Sequence, residues 1–156
     1  MSYSGGSLTS LFSFATTQPP TRRMLRDTTD DVGKTVTART KELTPMVTGK
    51  TRDSFHQIPT HRVVGGYESG VESSFYLARL LDAGIAPHTI SPKKKKALST
   101  PEGARANVRH PGVRGRHMVA NALAEAEAAL PTIAEPHLQT WAAEVENTAR
   151  GHEGVS

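Results

Sequence analysis

The feature that most constrains this chain is the stretch from Gly84 to Arg116, GIAPHTISPKKKKALSTPEGARANVRHPGVRGR. It holds four of the ten prolines and eight of the nineteen basic residues. With almost no helical periodicity, it reads as short strands and loops presenting a basic surface. The residues that follow, HMVANALAEAEAAL, favour helix at nearly every position. The turn His110-Pro111-Gly112 is therefore expected to mark the change from extended chain to helix and is a candidate hinge. Proline fixes its own φ and pushes His110 towards extended geometry, while Gly112 accepts backbone angles that other residues resist.

Charge is distributed unevenly around that stretch. The chain of 156 residues carries a net +4, but residues 93–116 hold +7 and residues 117–156 hold −5. Such separation can steer nucleic acid towards the middle, or let the basic segment of one copy meet the acidic helix of another. A hydrophobic content of 36% and an aromatic content of 5% are low for a self-sufficient monomer and point to burial supplied by neighbours. With no cysteine, a disulfide framework, a thiolate zinc site and a cysteine nucleophile are all excluded. No signal-peptide pattern and no run of about eighteen apolar residues is present, so a soluble protein without a membrane partner is expected.

In chain order, residues 1–20 form an arm whose apolar residues include Leu11, Phe12 and Phe14, either disordered or laid on a neighbouring subunit. From Thr21 to Leu43, the apolar residues Leu25, Val32, Val36 and Leu43 mark one helical face that Pro45 closes. Gly33 and the threonines weaken its intrinsic propensity, so packing must hold it. Gly49 turns the chain into a strand expected over about residues 52–58. Residues 61–74 supply further strands, interrupted at Gly65-Gly66 and Ser69-Gly70, in a hairpin or meander. Phe75 to Leu81 reads either as a short helix closed by Gly84 or as a strand, and residues 87–91 and 104–109 are strand candidates flanking the lysines. A helix from Arg116 should stop at Pro131, and a second should begin near Pro136 with Leu138, Trp141 and Val145 on one face. The expected domains are thus the arm 1–20, a domain 21–130 and a helical extension 131–156.

Chemistry-bearing motifs are sparse. Gly49-Lys50-Thr51 resembles the end of a phosphate loop, but Thr44 stands where that loop needs glycine. The seven histidines lack metal-binding spacing, and the carboxylates fall on exposed helix faces instead of around an apolar pocket. No metal, cofactor or catalytic residue is expected, and the chain reads as a non-enzyme. His110 is a turn residue whose ring should bond a backbone group or a neighbouring subunit. Lys93, Lys94, Lys95 and Lys96, with Arg105, Arg109 and Arg114, are candidates for contact with DNA phosphates or an acidic partner, the alternative for the lysine run being a solvated loop. The segment has no interleaved aromatics to stack single-stranded bases.

Several pieces in order resemble the small head–tail connector and tail-completion proteins of long-tailed bacteriophages. They are Pro45…Thr48-Gly49-Lys50…Ser54 after the first helix, then Tyr76…Leu81-Asp82-Ala83-Gly84…Pro87-His88-Thr89-Ile90. The basic segment Lys93 to Leu98, and His110-Pro111-Gly112…Gly115 before the last helix, complete the likeness across residues 20–130. The chain departs from that pattern at Leu81-Asp82-Ala83, where an acidic or aromatic pair is common, and in a longer tail after Pro131. The expected fold is α+β: a long N-terminal helix, a small mostly antiparallel sheet and C-terminal helices packed on one face. The resemblance implies a virion protein in the phage neck or at the head-proximal end of the tail. It would form a homo-hexameric ring, a tail terminator or tail-completion ring, assembled in the host cytoplasm around the DNA passage. Its partners would be a head-closure or connector protein and the major tail tube protein, with nonspecific contact to genomic DNA. The alternative is a DNA-binding accessory protein that uses residues 93–116.

Overall fold

The computed structural model describes residues 19–46, 49–92, 97–101 and 103–153. The proposed arm residues Leu11, Phe12 and Phe14 and the run Lys93 to Lys96 lie outside them. The architecture is α+β, with two long helices, two short ones and antiparallel two-stranded ladders. The chain divides into two compact units. One comprises the N-terminal part to Ser74 together with the part from Met118 onward, and the other comprises Phe75–His117.

In the first unit, α1 (Pro19–Leu43) begins on two prolines, whose fixed φ suits a first helical turn. It buries Leu25, Val32 and Val36, as their spacing predicts. Thr21, Thr28, Thr40 and Thr44 continue that face and are buried too. Burying a hydroxyl is costly unless it is bonded. Here Thr40 Oγ1 donates to the Val36 carbonyl at 2.8 Å and Thr44 Oγ1 to that of Thr40 at 2.6 Å, so the threonines fill core positions with their polarity satisfied.

A four-residue helix, α2 (Lys50–Asp53), stands where the strand was expected to start. Gly49, at φ 77, lets the Asp53 amide reach back to the Gly49 carbonyl at 2.9 Å, and Lys50-Thr51-Arg52-Asp53 has no apolar alternation to favour extension. The hairpin of β1 (Phe55–Val63) and β2 (Gly66–Ser73) follows, pairing Phe55 with Ser73 and Val63 with Gly66. Its register slips once, between Ile58 and His61, around Pro59, which has no amide hydrogen to give the ladder. Ser69-Gly70 does not interrupt β2. The Ser69 hydroxyl donates to the Ile58 carbonyl across the ladder at 2.9 Å.

The hairpin lies on α1, and Gly33 lets it come close. A Cβ at Gly33 would overlap the Ser69 hydroxyl and stand 2.7 Å from Gln57 Nε2. The glycine that weakens helix propensity is what seats the sheet.

α4 (Met118–Glu153) is one continuous helix with Pro131 and Pro136 inside it, which corrects the expectation of two helices broken at Pro131. An interior proline costs about 3 kcal/mol in an isolated helix. Contacts with α1 on both sides of the prolines offset that cost: Met118, Ala122 and Ala126 are buried before them and Ala134 after the first. Arg39 pairs with Glu125, Arg23 with Glu144 at 2.9 Å, and Trp141 Nε1 donates to Thr21 Oγ1 at 3.2 Å. The start of α1 thus meets the end of α4, so the two helices run antiparallel.

Candidate assembly and nucleic-acid interface

The second unit opens with α3 (Tyr76–Ala83), which buries Ala78 and Asp82 and ends at Gly84. The chain then runs out and back as one ribbon. β3 (Gly84–Ile85) pairs with β8 (Val113–Arg114), β4 (His88–Ile90) with β7 (Val108–His110), and β5 (Leu98–Thr100) with β6 (Gly103–Arg105). Register is continuous from Gly84↔Arg114 to Ile90↔Val108. It differs at Leu98↔Arg105, with more residues in sequence between Ile90 and Leu98 than between Arg105 and Val108.

The base of the ribbon is closed by backbone packed on backbone. Gly84, at φ 83, has no room for a side chain, since a Cβ would stand 2.5 Å from the Gly115 amide nitrogen. A Cβ on Gly112, at φ 86, would overlap the Ile85 carbonyl. The Arg116 and His117 amides donate to the Leu81 and Asp82 carbonyls, both at 3.0 Å. His117 itself is held at φ 51, an angle few non-glycine residues take.

Extended chain resumes in β8 after His110-Pro111-Gly112, and the helix starts only at Met118. The turn shapes the ribbon's return strand. His110 Nδ1 accepts the Gly112 amide at 3.0 Å, and its ring stacks on that of its cross-strand partner His88 with centroids 5.0 Å apart. His88 Nδ1 donates to the Ala86 carbonyl at 3.0 Å. The neighbouring pair Thr89↔Arg109 projects from the opposite face, because side chains alternate along a strand.

Arg105, Arg109 and Arg114 are all exposed and all lie on the return strands, one each in β6, β7 and β8. From first to last they span on the order of 30 Å of extended chain. They are spread along the return strands and not gathered in a pocket, which does not suit a small ligand. Arg109 and Arg114 form no ion pair among the described residues. The unit carries nine basic and two acidic side chains, a net +7, so little charge of the other sign is available within it.

The first unit contains a polar network that sequence reading missed. Lys34 Nζ bridges Asp30 at 2.9 Å and Asp31 at 2.8 Å, and His137 Nε2 lies 2.9 Å from Asp31. Gln57 Nε2 and Thr60 Oγ1 donate to Asp30 Oδ1 at 3.1 and 2.8 Å. Hydrogen bonds from Lys34 first, then Thr60, hold the Asp30 carboxyl below its ordinary range, and Lys34 does the same for Asp31. The two carboxylates push the Lys34 ammonium pKa up in turn. Asp30 is bonded to the hairpin and Asp31 to α4, so the network clamps α1 to both. The clue in the sequence was Asp30-Asp31 followed three and four residues later by Lys34. The partners on β1 and α4 are 23 or more residues away and gave no local sign.

No group of three or more histidine, aspartate or glutamate side chains is arranged to hold a metal ion among the described residues. Likewise, no helix among them is long and apolar enough to cross a membrane. Comparison with protein-family models, curated proteins and solved structures found no match.

Proposed function

We propose that this chain is a structural subunit of a homo-oligomeric ring at the head–tail interface of a long-tailed bacteriophage. In that place it completes the tail and joins the tail tube to the head connector around the DNA passage. The observation that carries this reading is the ribbon. It pairs the Pro-His strand of the resemblance, His88-Thr89-Ile90, in register with the strand ending in the His-Pro-Gly turn, so motifs twenty residues apart belong to one element. That element is ill suited to stand alone. A two-stranded ribbon is marginally stable in water, and Ala78 is the one apolar residue buried in its unit among the described residues. An assembly subunit, whose missing burial comes from neighbours, accounts for this economy.

The role is tested in particles made without the chain and complemented by it. Electron microscopy should show heads and tails unjoined in its absence and joined on complementation. Normal joining without the chain would overturn the reading. The exposed, unpaired Arg109 and Arg114 favour a second reading, an accessory protein on duplex DNA. That reading requires salt-sensitive DNA affinity from the isolated monomer, whereas the ring reading requires association of copies.

A further inference from the structure

A cleft in the first unit opens between β2, α1 and the start of α4. Val32, Gly33 and Val36 of α1 form its buried floor, with Val119 and Leu123 of α4 on one side. The other side is β2 over five successive residues, Tyr67 to Val71, and no residue of β1. Side chains alternate along a strand, so a wall of successive residues is a strand's edge and not one of its faces. Among the described residues β2 pairs only with β1, which makes this its open edge. An open edge offers backbone N–H and C=O groups to another extended segment. Glu68 is the one charged residue lining the cleft among the described residues, so the segment that suits it is extended, apolar and uncharged.

The sequence carries such a segment just ahead of α1. Leu8-Thr9-Ser10-Leu11-Phe12-Ser13-Phe14 has the aromatic residues that suit a strand, and residues 1–18 contain no charged side chain. Phe12 and Phe14 fall on one face of an extended chain and Leu11 on the other. Reach agrees with the cleft: Phe14 and Phe12 precede Pro19 by five and seven residues, about 17 and 23 Å of extended chain. Along α1, Thr29 and Val36 stand about 15 and 26 Å from Pro19, and both line the cleft.

We infer that residues 8–14 return along α1 and add a third strand to the open edge of β2 in their own molecule, seating Phe12 and Phe14 against Val32 and Val36. The added strand covers an edge that otherwise serves as a template for pairing with other chains. A neighbour's arm has the same chemistry, but the match of reach to cleft is a property of the arm's own attachment at Pro19. The contact is made within one chain, so it holds with or without ring closure at a phage neck.

Hydrogen exchange and disulfide trapping in the full-length chain test this contact. In Phe12→Ser with Phe14→Ser, the amides of residues 67–71 should exchange at least about tenfold faster while circular dichroism stays unchanged. Leu11→Ser, on the opposite face of the arm, should change that exchange little. The chain has no cysteine, so an introduced pair reports without background. Phe12→Cys with Tyr67→Cys should oxidise within one chain. It should do so at least about tenfold faster than Phe12→Cys with His56→Cys, since His56 is exposed on β1 outside the cleft. Unchanged exchange at residues 67–71 in the double serine variant would overturn the inference, as would equal oxidation at positions 67 and 56. A disulfide joining two chains, seen as a dimer on a non-reducing gel, would overturn it too and give the cleft to a neighbour's arm. Should the double serine variant lose its fold, the disulfide pairs decide alone.

Discussion

The two units of this protein are held together by different physics. In the unit containing α1 and α4, nine apolar side chains from Leu25 to Ala134 are buried among the described residues, along with five threonines. In the unit from Phe75 to His117, only Ala78 and Asp82 are buried among the described residues, and the structure rests on ladder pairs and on glycines where backbone meets backbone. A core tolerates changes at its surface and resists changes in volume. A ribbon without a core tolerates changes in side-chain size and resists changes in backbone angle. Such a ribbon is also free to spend its side chains on partners.

That contrast can be broken first at Met118, which is 1% exposed. Met118→Ala should cost about 2–5 kcal/mol, seen as a lower urea midpoint for the fluorescence of Trp141, the single tryptophan, which reports on the α1–α4 contact. An unchanged midpoint would mean that the helix pair does not depend on this packing. Next, Gly112→Val should strain the ribbon by about 1–3 kcal/mol, since valine at φ 86 also meets the Ile85 carbonyl. Trypsin should then cut within residues 75–117 faster while the Trp141 midpoint stays near its wild-type value. Pro111→Ala, which keeps the backbone angles accessible, should be milder.

Gly33→Ala sharpens the comparison, because here a glycine acts inside the packed unit. Alanine is the better helix former by about 1 kcal/mol, yet its Cβ overlaps the Ser69 hydroxyl and crowds Gln57. A net loss of roughly 1 kcal/mol is expected, measured by thermal unfolding. A gain in stability would show that the hairpin shifts without cost. The smallest effect is that of pH. Asp30 and Asp31 have lowered pKa values, so their contribution is fully present above the unfolded-state value of about 3.9 and is lost as pH falls through the folded values. Both carboxylates are partly exposed, which keeps the effect modest. Acidification through that range should reduce the stability reported by Trp141, and Asp30→Asn should flatten the dependence.

How much of this was legible beforehand follows from the range of the forces involved. Local signals sufficed for α1 with Leu25, Val32 and Val36 inward, for the turn at Gly65-Gly66, for the chain break at Gly84 and for the α+β class, because periodicity and glycine geometry act within a few residues; they left helix and strand undecided for α3. The same signals marked the arginines of the candidate interface but not their arrangement, since they line the return side of a ribbon only when β6, β7 and β8 pair with β5, β4 and β3. Threonines at the helical spacing of the apolar residues could have been recognised as core, once their hydroxyls were allowed to bond the preceding turn. Tertiary structure alone decided that α4 runs on through Pro131 and Pro136. A proline's local cost is visible in sequence, but the packing of α1 that offsets it comes from residues about a hundred positions away. It also decided the value of Gly33, which counts against a helix alone and becomes necessary only when Ser69 and Gln57 arrive on the other side.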